Sequence, residues 1–180
     1  MSNYKIIFTG PVGAGKTTAI ASMSDDAPVT TDEAASDMTR SRKKATTVAM
    51  DYGSMRLEGG EVIHLYGTPG QERFDFMWDI LSTGGIGLVV LLDNTRADPF
   101  VDLRFFLDSF SEFINKTSVV IGVTQMDNSP QPTIADYHLA IKEMGLSPAI
   151  FEVDARESAD VSLLIQSLLY SLDPGLEAEA

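Results

Sequence analysis

The spacing of apolar and polar residues divides the chain into strands and helices that mostly alternate. Short apolar or β-rich runs predict six strands, at residues 4–9, 47–57, 61–66, 86–92, 118–123 and 149–153. Apolar residues at helical spacing predict helices at residues 16–23, 99–114, 133–144 and 161–172. The polar stretch 24–45 has no clear period and is interpreted as a long loop, which in compact domains is usually functional or disordered.

The order of these elements predicts the fold class. The second and third strands are joined around Glu58, Gly59 and Gly60, which is typical of a hairpin, whereas the later strands alternate with helices. We therefore predict a single α/β domain at residues 1–172, with a mostly parallel six-stranded sheet, one antiparallel hairpin strand and helices on both faces. The acidic tail at residues 173–180 is predicted to be disordered. Ligands of such sheets bind at the carboxyl ends of the strands.

Composition and charge exclude several classes of function. The 180 residues include 13 Lys and Arg against 26 Asp and Glu, a net charge of −13 that opposes non-specific binding to nucleic acid or to an anionic membrane. The absence of cysteine excludes disulfides, thiolate zinc sites and cysteine nucleophiles. Neither a signal peptide nor a membrane-spanning run is visible, and we expect a cytoplasmic protein with no stable membrane anchor.

The segment after the first strand carries the first chemical motif. Its sequence GPVGAGKT, at residues 10–17, matches G-x-x-x-x-G-K-[ST] completely and lies between a predicted strand and a predicted helix. Backbone N–H groups of such a loop surround phosphates, Lys16 would reach the β- and γ-phosphates, and the Thr17 hydroxyl would bind Mg²⁺. The motif predicts a nucleotide site formed by Gly10, Pro11, Val12, Gly13, Ala14, Gly15, Lys16, Thr17 and Thr18.

A second motif resembles the switch segments of Ras-like small GTPases. GTPGQERF, at residues 67–74, follows the third strand and is similar to the second switch of that family. The resemblance implies that the N–H of Gly70 senses the γ-phosphate and that Gln71 orients the attacking water. TVAMD, at residues 47–51, resembles the first switch, which implies that Thr47, with Thr46 as its rival, closes over Mg²⁺ and the γ-phosphate.

The ends of the last two strands resemble the base-binding motifs of the same family. TQMD, at residues 124–127, is similar to [NT]-K-x-D and places Thr124 and Gln125 in the site. The carboxylate of Asp127 can accept hydrogen bonds from both N1–H and N2–H of guanine, whereas adenine has no matching pair of donors. DAR, at residues 154–156, stands where the family has S-A-K, so the resemblance implies that the Ala155 N–H meets guanine O6 and that Arg156 packs against the base.

The resemblance extends from residue 5 to residue 172, with two departures. Gly67 replaces the leading aspartate of the family's D-x-x-G motif, and Gln125 replaces the lysine that lies along the base. The T-P-G-Q form is most similar to bacterial small GTPases of gliding motility and cell polarity. This similarity implies a protein effector and a roadblock/longin-type partner that stimulates hydrolysis.

The resemblance implies a function as a Ras-like P-loop switch. The protein would bind GTP and GDP with Mg²⁺ and hydrolyse GTP slowly, with Lys16, Thr47 and Gln71 in catalysis and Thr17 and Thr47 at the metal. Two alternatives stay open. A scaffold that holds nucleotide with little hydrolysis is favoured by Gly67, and an ATPase or small-molecule kinase is disfavoured by Asp127.

Simpler structural roles are alternatives for several of these residues. Gln71 can be a surface glutamine and Asp127 a loop residue. Asp93 is interpreted as a turn cap in preference to a metal ligand. The basic cluster at residues 40–44 is interpreted as a solvated loop in preference to an arginine finger supplied in cis.

The only tryptophan lies in the helix that the resemblance implies for the second switch, at residues 74–81. Spacing places Phe74, Trp78 and Leu81 on one face of that helix. Because this helix would move with Gly70, we expect Trp78 to change its burial between nucleotide states and to contact a partner protein. The alternative is a helix packed on the sheet.

Overall fold

The computed structural model describes residues 3–30, 50–69 and 75–172. Its strands are β1 (Asn3–Thr9), β2 (Val29–Thr30), β3 (Asp51–Arg56), β4 (Val62–Gly67), β5 (Gly87–Asp93), β6 (Ser118–Thr124) and β7 (Ala149–Glu152). Its helices are α1 (Lys16–Met23), α2 (Asp75–Ser82), α3 (Pro99–Ser109), α4 (Ser111–Lys116), α5 (Ile134–Glu143) and α6 (Ser158–Leu172). The predicted tail at residues 173–180 and the basic cluster at residues 40–44 lie outside the described residues.

The strands form one mixed sheet, in the order β2-β3-β4-β1-β5-β6-β7. β1 pairs in parallel with β4 and β5, and β6 pairs in parallel with β5 and β7. β3 runs antiparallel to β4, as the hairpin motif predicts. The predicted α/β fold, with a mostly parallel sheet and one antiparallel hairpin, is therefore confirmed.

The sheet has one strand more than the six predicted. Val29 and Thr30 pair antiparallel with Tyr52 and Asp51, inside the stretch that the sequence analysis assigned to a loop. Two residues are too few to show the period of a strand, so only the pairing with β3 identifies β2.

Helices cover both faces of the sheet, and the central strand β5 contributes alternate side chains to the two cores. Leu88, Val90 and Leu92 pack on the side of α2, α3 and α5, whereas Val89 and Leu91 pack on the side of α1 and α6. All five are fully buried, and full burial of such a side chain is worth about 1.5–3 kcal/mol. These two cores hold the carboxyl ends of β1, β5 and β6 side by side. Among the described residues, no helix is long and apolar enough to cross a membrane.

The helix predicted at residues 99–114 is two helices, α3 and α4, separated at Phe110. Phe110 has φ −101° and ψ 14°, outside the helical region, and its side chain is buried. Both helices bury apolar residues, so the apolar period continues across the break and the sequence pattern does not show it. Helix α6 begins at Ser158, before the predicted residue 161.

Trp78 is a core residue in this structure. Its side chain is 3% exposed, and its ring lies 5.3–5.7 Å, centroid to centroid, from the rings of Phe105, Phe106 and Phe110. The indole Nε1 donates a 3.0 Å hydrogen bond to the carbonyl of Pro69. This position agrees with the alternative of a helix packed on the sheet, and the expected change of burial between nucleotide states stays a prediction.

Candidate nucleotide site

The phosphate loop at residues 10–15 leaves the carboxyl end of β1 and leads directly into α1. Gly10 has φ +143°, and a Cβ there would lie 2.0 Å from the Leu91 carbonyl oxygen, so only glycine fits beside β5. Gly15 has φ +99°, and its Cβ would lie 3.0 Å from the Cβ of Ala155. The two glycines therefore let the loop pass close to two other strand ends.

Lys16 lies inside the curve of this loop. Its side chain is 8% exposed, and its ammonium donates 2.8 Å hydrogen bonds to the carbonyls of Gly10 and Pro11. Burial lowers the pKa of Lys16 to about 8, and the negative charge of Asp51 partly opposes this shift. A lysine ammonium held at a glycine-rich loop before a helix N-terminus can bind an anionic phosphate.

The other loop residues differ in their exposure. Val12 is exposed at the tip of the loop, whereas Ala14 is buried against α6 and the end of β7. Gly13 has φ +84° with open space around its Cβ position. Thr18 lies in the first turn of α1 and lines the cleft described below.

Thr17 contacts a carboxylate that comes from β3. Its Oγ1 donates a 2.6 Å hydrogen bond to Oδ2 of Asp51, the first residue of that strand. No group of three or more His, Asp or Glu side chains within residues 3–30, 50–69 and 75–172 could hold a metal ion alone. Mg²⁺ at a nucleotide site takes only one or two protein oxygens and completes its shell with phosphate oxygens and water. The hydroxyl and carboxylate oxygens beside the phosphate loop fit that ion.

The phosphate loop continues into a cleft of ≈ 750 Å³. Residues from three segments line this cleft, namely the loop with α1, the end of β6 and the end of β7. Its lining includes Gly13, Ala14, Gly15, Thr18, Thr124, Gln125, Asp127, Ala155 and Arg156. The structure thus brings together residues that are far apart in the sequence and that were predicted for the phosphate and base ends of one site.

Thr124 joins the two ends of the cleft. Its buried hydroxyl lies 3.0 Å from the Ala14 carbonyl oxygen and 3.1 Å from the Leu92 carbonyl oxygen, and it donates to this pair of acceptors. The phosphate loop and the carboxyl ends of β5 and β6 are therefore held in one fixed arrangement.

The loop after β6 has a defined turn that presents Asp127. Gln125 has φ +64°, and its carbonyl accepts hydrogen bonds from the N–H groups of Asn128 and Ser129. The Gln125 side-chain oxygen accepts a 2.5 Å hydrogen bond from Asn128 Nδ2. This turn leaves the carboxylate of Asp127 exposed in the cleft.

Two buried residues that the sequence analysis did not assign to the site support this turn. Asn94 Nδ2 donates to the carbonyls of Ser129 and Pro132, at 2.6 and 3.0 Å. The Tyr137 hydroxyl donates a 2.6 Å hydrogen bond to Asn94 Oδ1. Asn94 is in a turn after β5 and Tyr137 is on α5, so only the tertiary structure shows that they meet. The neighbouring Asp93 caps its turn, as predicted, by accepting from the N–H and hydroxyl of Thr95.

Arg156 is held at the rim of the cleft by Asp154. Its guanidinium donates to both carboxylate oxygens, with the shortest contact 2.6 Å from Nη2 to Oδ2. The side-chain hydrogen bonds from Arg156 lower the pKa of Asp154 to about 2, and the pKa of Arg156 rises in turn. Ala155 between them is buried beside Gly15. The paired guanidinium forms a flat group beside the predicted base position.

Three predicted site residues lie outside the described residues. These are Thr47, Gly70 and Gln71, the residues assigned to the two switches. The described residues of the second motif end at Thr68 and Pro69. Thr68 is anchored to the end of β1, because its N–H donates to the Phe8 carbonyl and its hydroxyl donates to Thr9 Oγ1.

The comparisons with known proteins agree with a P-loop nucleotide site. Residues 26–170 match a family described as "conserved hypothetical ATP binding protein". The chain is 30% identical over 156 residues to an uncharacterized protein of Methanocaldococcus jannaschii. The aligned region covers 83% of this chain and 94% of that protein. It is 22% identical over 177 residues to the Ras-related protein RabC of Dictyostelium discoideum, covering 94% of this chain and 84% of RabC.

A further match is the Ras-related protein Rab-10 of Diplobatis ommata. The identity is 27% over 116 residues, which are 63% of this chain and 52% of Rab-10. The similarity to Rab proteins is weak in identity. The chain is therefore a nucleotide-binding P-loop protein, and it belongs to the family of conserved hypothetical ATP binding proteins.

Proposed function

We propose that the protein binds GTP and GDP with Mg²⁺, hydrolyses GTP slowly, and changes its contacts with a partner protein according to the nucleotide bound. The observation that carries this proposal is the position of Asp127. Its exposed carboxylate lines the same cleft as the phosphate loop, so one nucleotide can reach both.

The chemistry of the cleft favours guanine over adenine. A carboxylate only accepts hydrogen bonds, and guanine presents two adjacent donors, N1–H and N2–H, on one edge. Adenine presents an acceptor at N1 and would place a lone pair against the Asp127 carboxylate. The Ala155 N–H lies after the end of β7, where a guanine O6 acceptor would be bound, whereas the Arg156 N–H donates to Asp154 Oδ1.

The phosphate end supports binding of a charged nucleotide. Lys16 would exchange its two loop carbonyls for the β- and γ-phosphates, and the dipole of α1 adds to the attraction. Mg²⁺, held in part by Thr17, would neutralise phosphate charge. We propose that Thr47 completes the metal site, that Gly70 senses the γ-phosphate and that Gln71 orients the attacking water.

The wider biology of the switch is also a proposal. We assign residues 1–172 to one Ras-like GTP-binding domain that acts in the cytoplasm. The T-P-G-Q segment supports a resemblance to bacterial small GTPases of gliding motility, with a protein effector and a roadblock/longin-type partner that accelerates hydrolysis. Intrinsic hydrolysis should be slow, about 10⁻⁴ to 10⁻³ s⁻¹.

An adenine nucleotide is the second candidate. The family description names ATP, and Gln125, which replaces the lysine that lies along guanine in the small GTPases, is bonded to Asn128. An ATP-binding protein would make no use of the acceptor pair of Asp127.

A change of base preference tests the proposal. In Asp127→Asn, the amide donates where the carboxylate accepts, which suits xanthine because its C2 carries a carbonyl in place of the guanine amine. We expect Asp127→Asn to lose GDP affinity and to gain affinity for xanthosine diphosphate, as measured by displacement of a fluorescent nucleotide. Asp160→Asn, which changes another acidic residue of the cleft, is the control and should keep the preference for GDP. Unchanged base preference in Asp127→Asn would contradict the assignment.

A further inference from the structure

The strand that should supply the aspartate of the D-x-x-G motif ends in Gly67. The neighbouring strand places Asp51 directly opposite, because Asp51 of β3 pairs with Gly67 of β4. A Cβ built on Gly67 would lie 3.1 Å from the Cβ of Asp51 and 3.2 Å from its Oδ2. The side chain of Asp51 therefore extends over the space that a side chain at position 67 would occupy.

The carboxylate in this position contacts the first turn of α1, which directly follows the phosphate loop. Thr17 Oγ1 and Asp51 Oδ2 are 2.6 Å apart, and because a carboxylate only accepts, the Thr17 hydroxyl is the donor. Because the Thr17 hydroxyl directs its hydrogen toward Asp51, the lone pairs of its oxygen remain available to a cation. A metal-bound hydroxyl needs such an acceptor for its proton.

The negative charge of Asp51 also interacts with the ammonium group of Lys16. It favours the charged form of Lys16, although the burial of that lysine has the larger and opposite effect on its pKa. Asp51 thus interacts with both side chains at the start of α1 that the proposed chemistry uses, Lys16 and Thr17.

We propose that Asp51 supplies the carboxylate of the magnesium site from β3, in place of the aspartate that the D-x-x-G motif would carry at position 67. It orients the Thr17 hydroxyl toward Mg²⁺ and contributes negative charge beside the ion. This inference rests on the proposed nucleotide site but not on the identity of the base. It removes the reason, given by Gly67, for regarding the protein as a scaffold with a defective metal site.

A purely structural role makes a different prediction. If the Thr17–Asp51 hydrogen bond only joined α1 to β3, its loss would weaken nucleotide binding equally with and without metal. A carboxylate of the metal site has opposite effects in the two conditions, because without the cation it repels the phosphates.

The test measures nucleotide affinity for the full chain and for Asp51→Asn, in saturating Mg²⁺ and in excess EDTA. The probe is whichever of the N-methylanthraniloyl derivatives of GDP and ADP the unmodified chain binds more tightly. In Mg²⁺ we expect Asp51→Asn to bind the probe more weakly, and in EDTA as tightly as the unmodified chain or more tightly. The Mn²⁺ affinity of the nucleotide complex, measured by electron paramagnetic resonance, should fall about 10- to 100-fold.

The control is Asp25→Asn. Asp25 follows α1, and its Oδ2 accepts from the N–H of Arg56 at the other end of β3, so this variant removes the charge of a different carboxylate that contacts the same strand. We expect no change in the dependence of nucleotide binding on metal.

A double variant moves the carboxylate from β3 to the paired position on β4. In Asp51→Gly with Gly67→Asp, the Cβ and carboxylate of Asp51 are removed, and the third of the nearest atoms to the new Cβ is the Ile20 Cδ1 methyl, at 3.1 Å and at the end of a flexible side chain. We expect this variant to bind Mn²⁺ in the nucleotide complex more tightly than Asp51→Asn does. If the double variant does not recover Mn²⁺ affinity, the claim that carboxylates at positions 51 and 67 serve the same metal site is overturned.

The outcomes separate the two proposals. Equal losses in Mg²⁺ and in EDTA, or an unchanged Mn²⁺ affinity in Asp51→Asn, would overturn the metal assignment while nucleotide binding stands. An unmodified chain that bound neither probe would overturn the proposed function and the metal assignment together.

Discussion

The hydroxyl of Thr124, at the end of β6, donates a 3.0 Å hydrogen bond to the carbonyl of Ala14 in the phosphate loop. This contact connects the segment predicted to bind the base with the segment predicted to bind the phosphates. The two motifs lie 110 residues apart in the sequence. Their relative position therefore depends on a buried hydroxyl as well as on the sheet.

Thr124→Val should weaken nucleotide binding and lower stability, because valine keeps the shape of threonine but leaves the buried carbonyls of Ala14 and Leu92 without this donor. An unsatisfied buried group costs about 1–3 kcal/mol, which urea unfolding would measure. Thr124→Ser should retain both properties.

Thr117→Val is the control for that change. Thr117 donates to the Phe113 carbonyl at the end of α4, far from the cleft. This variant should lose stability without losing nucleotide affinity. Equal effects of Thr117→Val and Thr124→Val on affinity would contradict a specific link between the two motifs.

Nucleotide affinity should fall as the pH rises through about 8, the pKa to which burial lowers Lys16. Bound phosphate favours the charged form of Lys16, so Lys16 keeps its proton to a higher pH in the nucleotide complex than in the free protein. Binding above pH 8 then takes up a proton, and affinity decreases by at most about tenfold per pH unit. Titrations over this range would show the decline, and Lys142→Gln, on the exposed side of α5, should not alter it. An affinity that stays constant up to the ordinary pKa of lysine would contradict the assignment.

Gly15→Ala should impair the site more than Gly13→Ala does. Both glycines have positive φ, at +99° and +84°, so both substitutions carry a similar backbone cost. Only at Gly15 would the new methyl meet the Ala155 Cβ, at 3.0 Å. Nucleotide affinity of the two variants, compared directly, isolates the contact between the phosphate loop and the end of β7. Adding Ala155→Gly to Gly15→Ala should restore part of the loss, and no restoration would mean that the backbone cost alone explains it.

Trp78 should report the nucleotide state through its bond to Pro69. Pro69 immediately precedes Gly70, the proposed γ-phosphate sensor, and its carbonyl accepts from Trp78 Nε1. We expect different tryptophan emission with GDP and with a non-hydrolysable GTP analogue. Because the ring is buried, Trp78→Ala should cost about 3–5 kcal/mol of stability, as large truncations in cores do. Identical emission in the two states would show that the Pro69 segment does not move.

The motifs with strict local geometry could be predicted from the sequence. Gly15 followed by Lys16 sets the start of α1, and the helix has the predicted bounds. Thr133 and Asp136 form the capping box that begins α5, at the start of the helix predicted for residues 133–144. In both cases the residues that determine the element are adjacent or within one turn.

Features that depend on tertiary pairing could not be predicted in this way. The helix break lies at Phe110, whose buried ring stacks on Trp78, and β2 is identified only by its pairing with β3. Asn94 and Tyr137 support the turn that carries Asp127 from two other elements. Asp51 and Gly67 lie opposite each other because of the register in which β3 and β4 pair, and no local sequence pattern encodes that register.

Competition between GDP and ADP for the unmodified protein tests the central claim most directly. Displacement of a fluorescent nucleotide in saturating Mg²⁺ gives both affinities in one assay. Since the paired acceptors of Asp127 suit guanine alone, we predict that GDP binds at least about 100-fold more tightly than ADP, a difference of roughly 2.7 kcal/mol. Equal affinities, or tighter binding of ADP, would contradict the GTPase account.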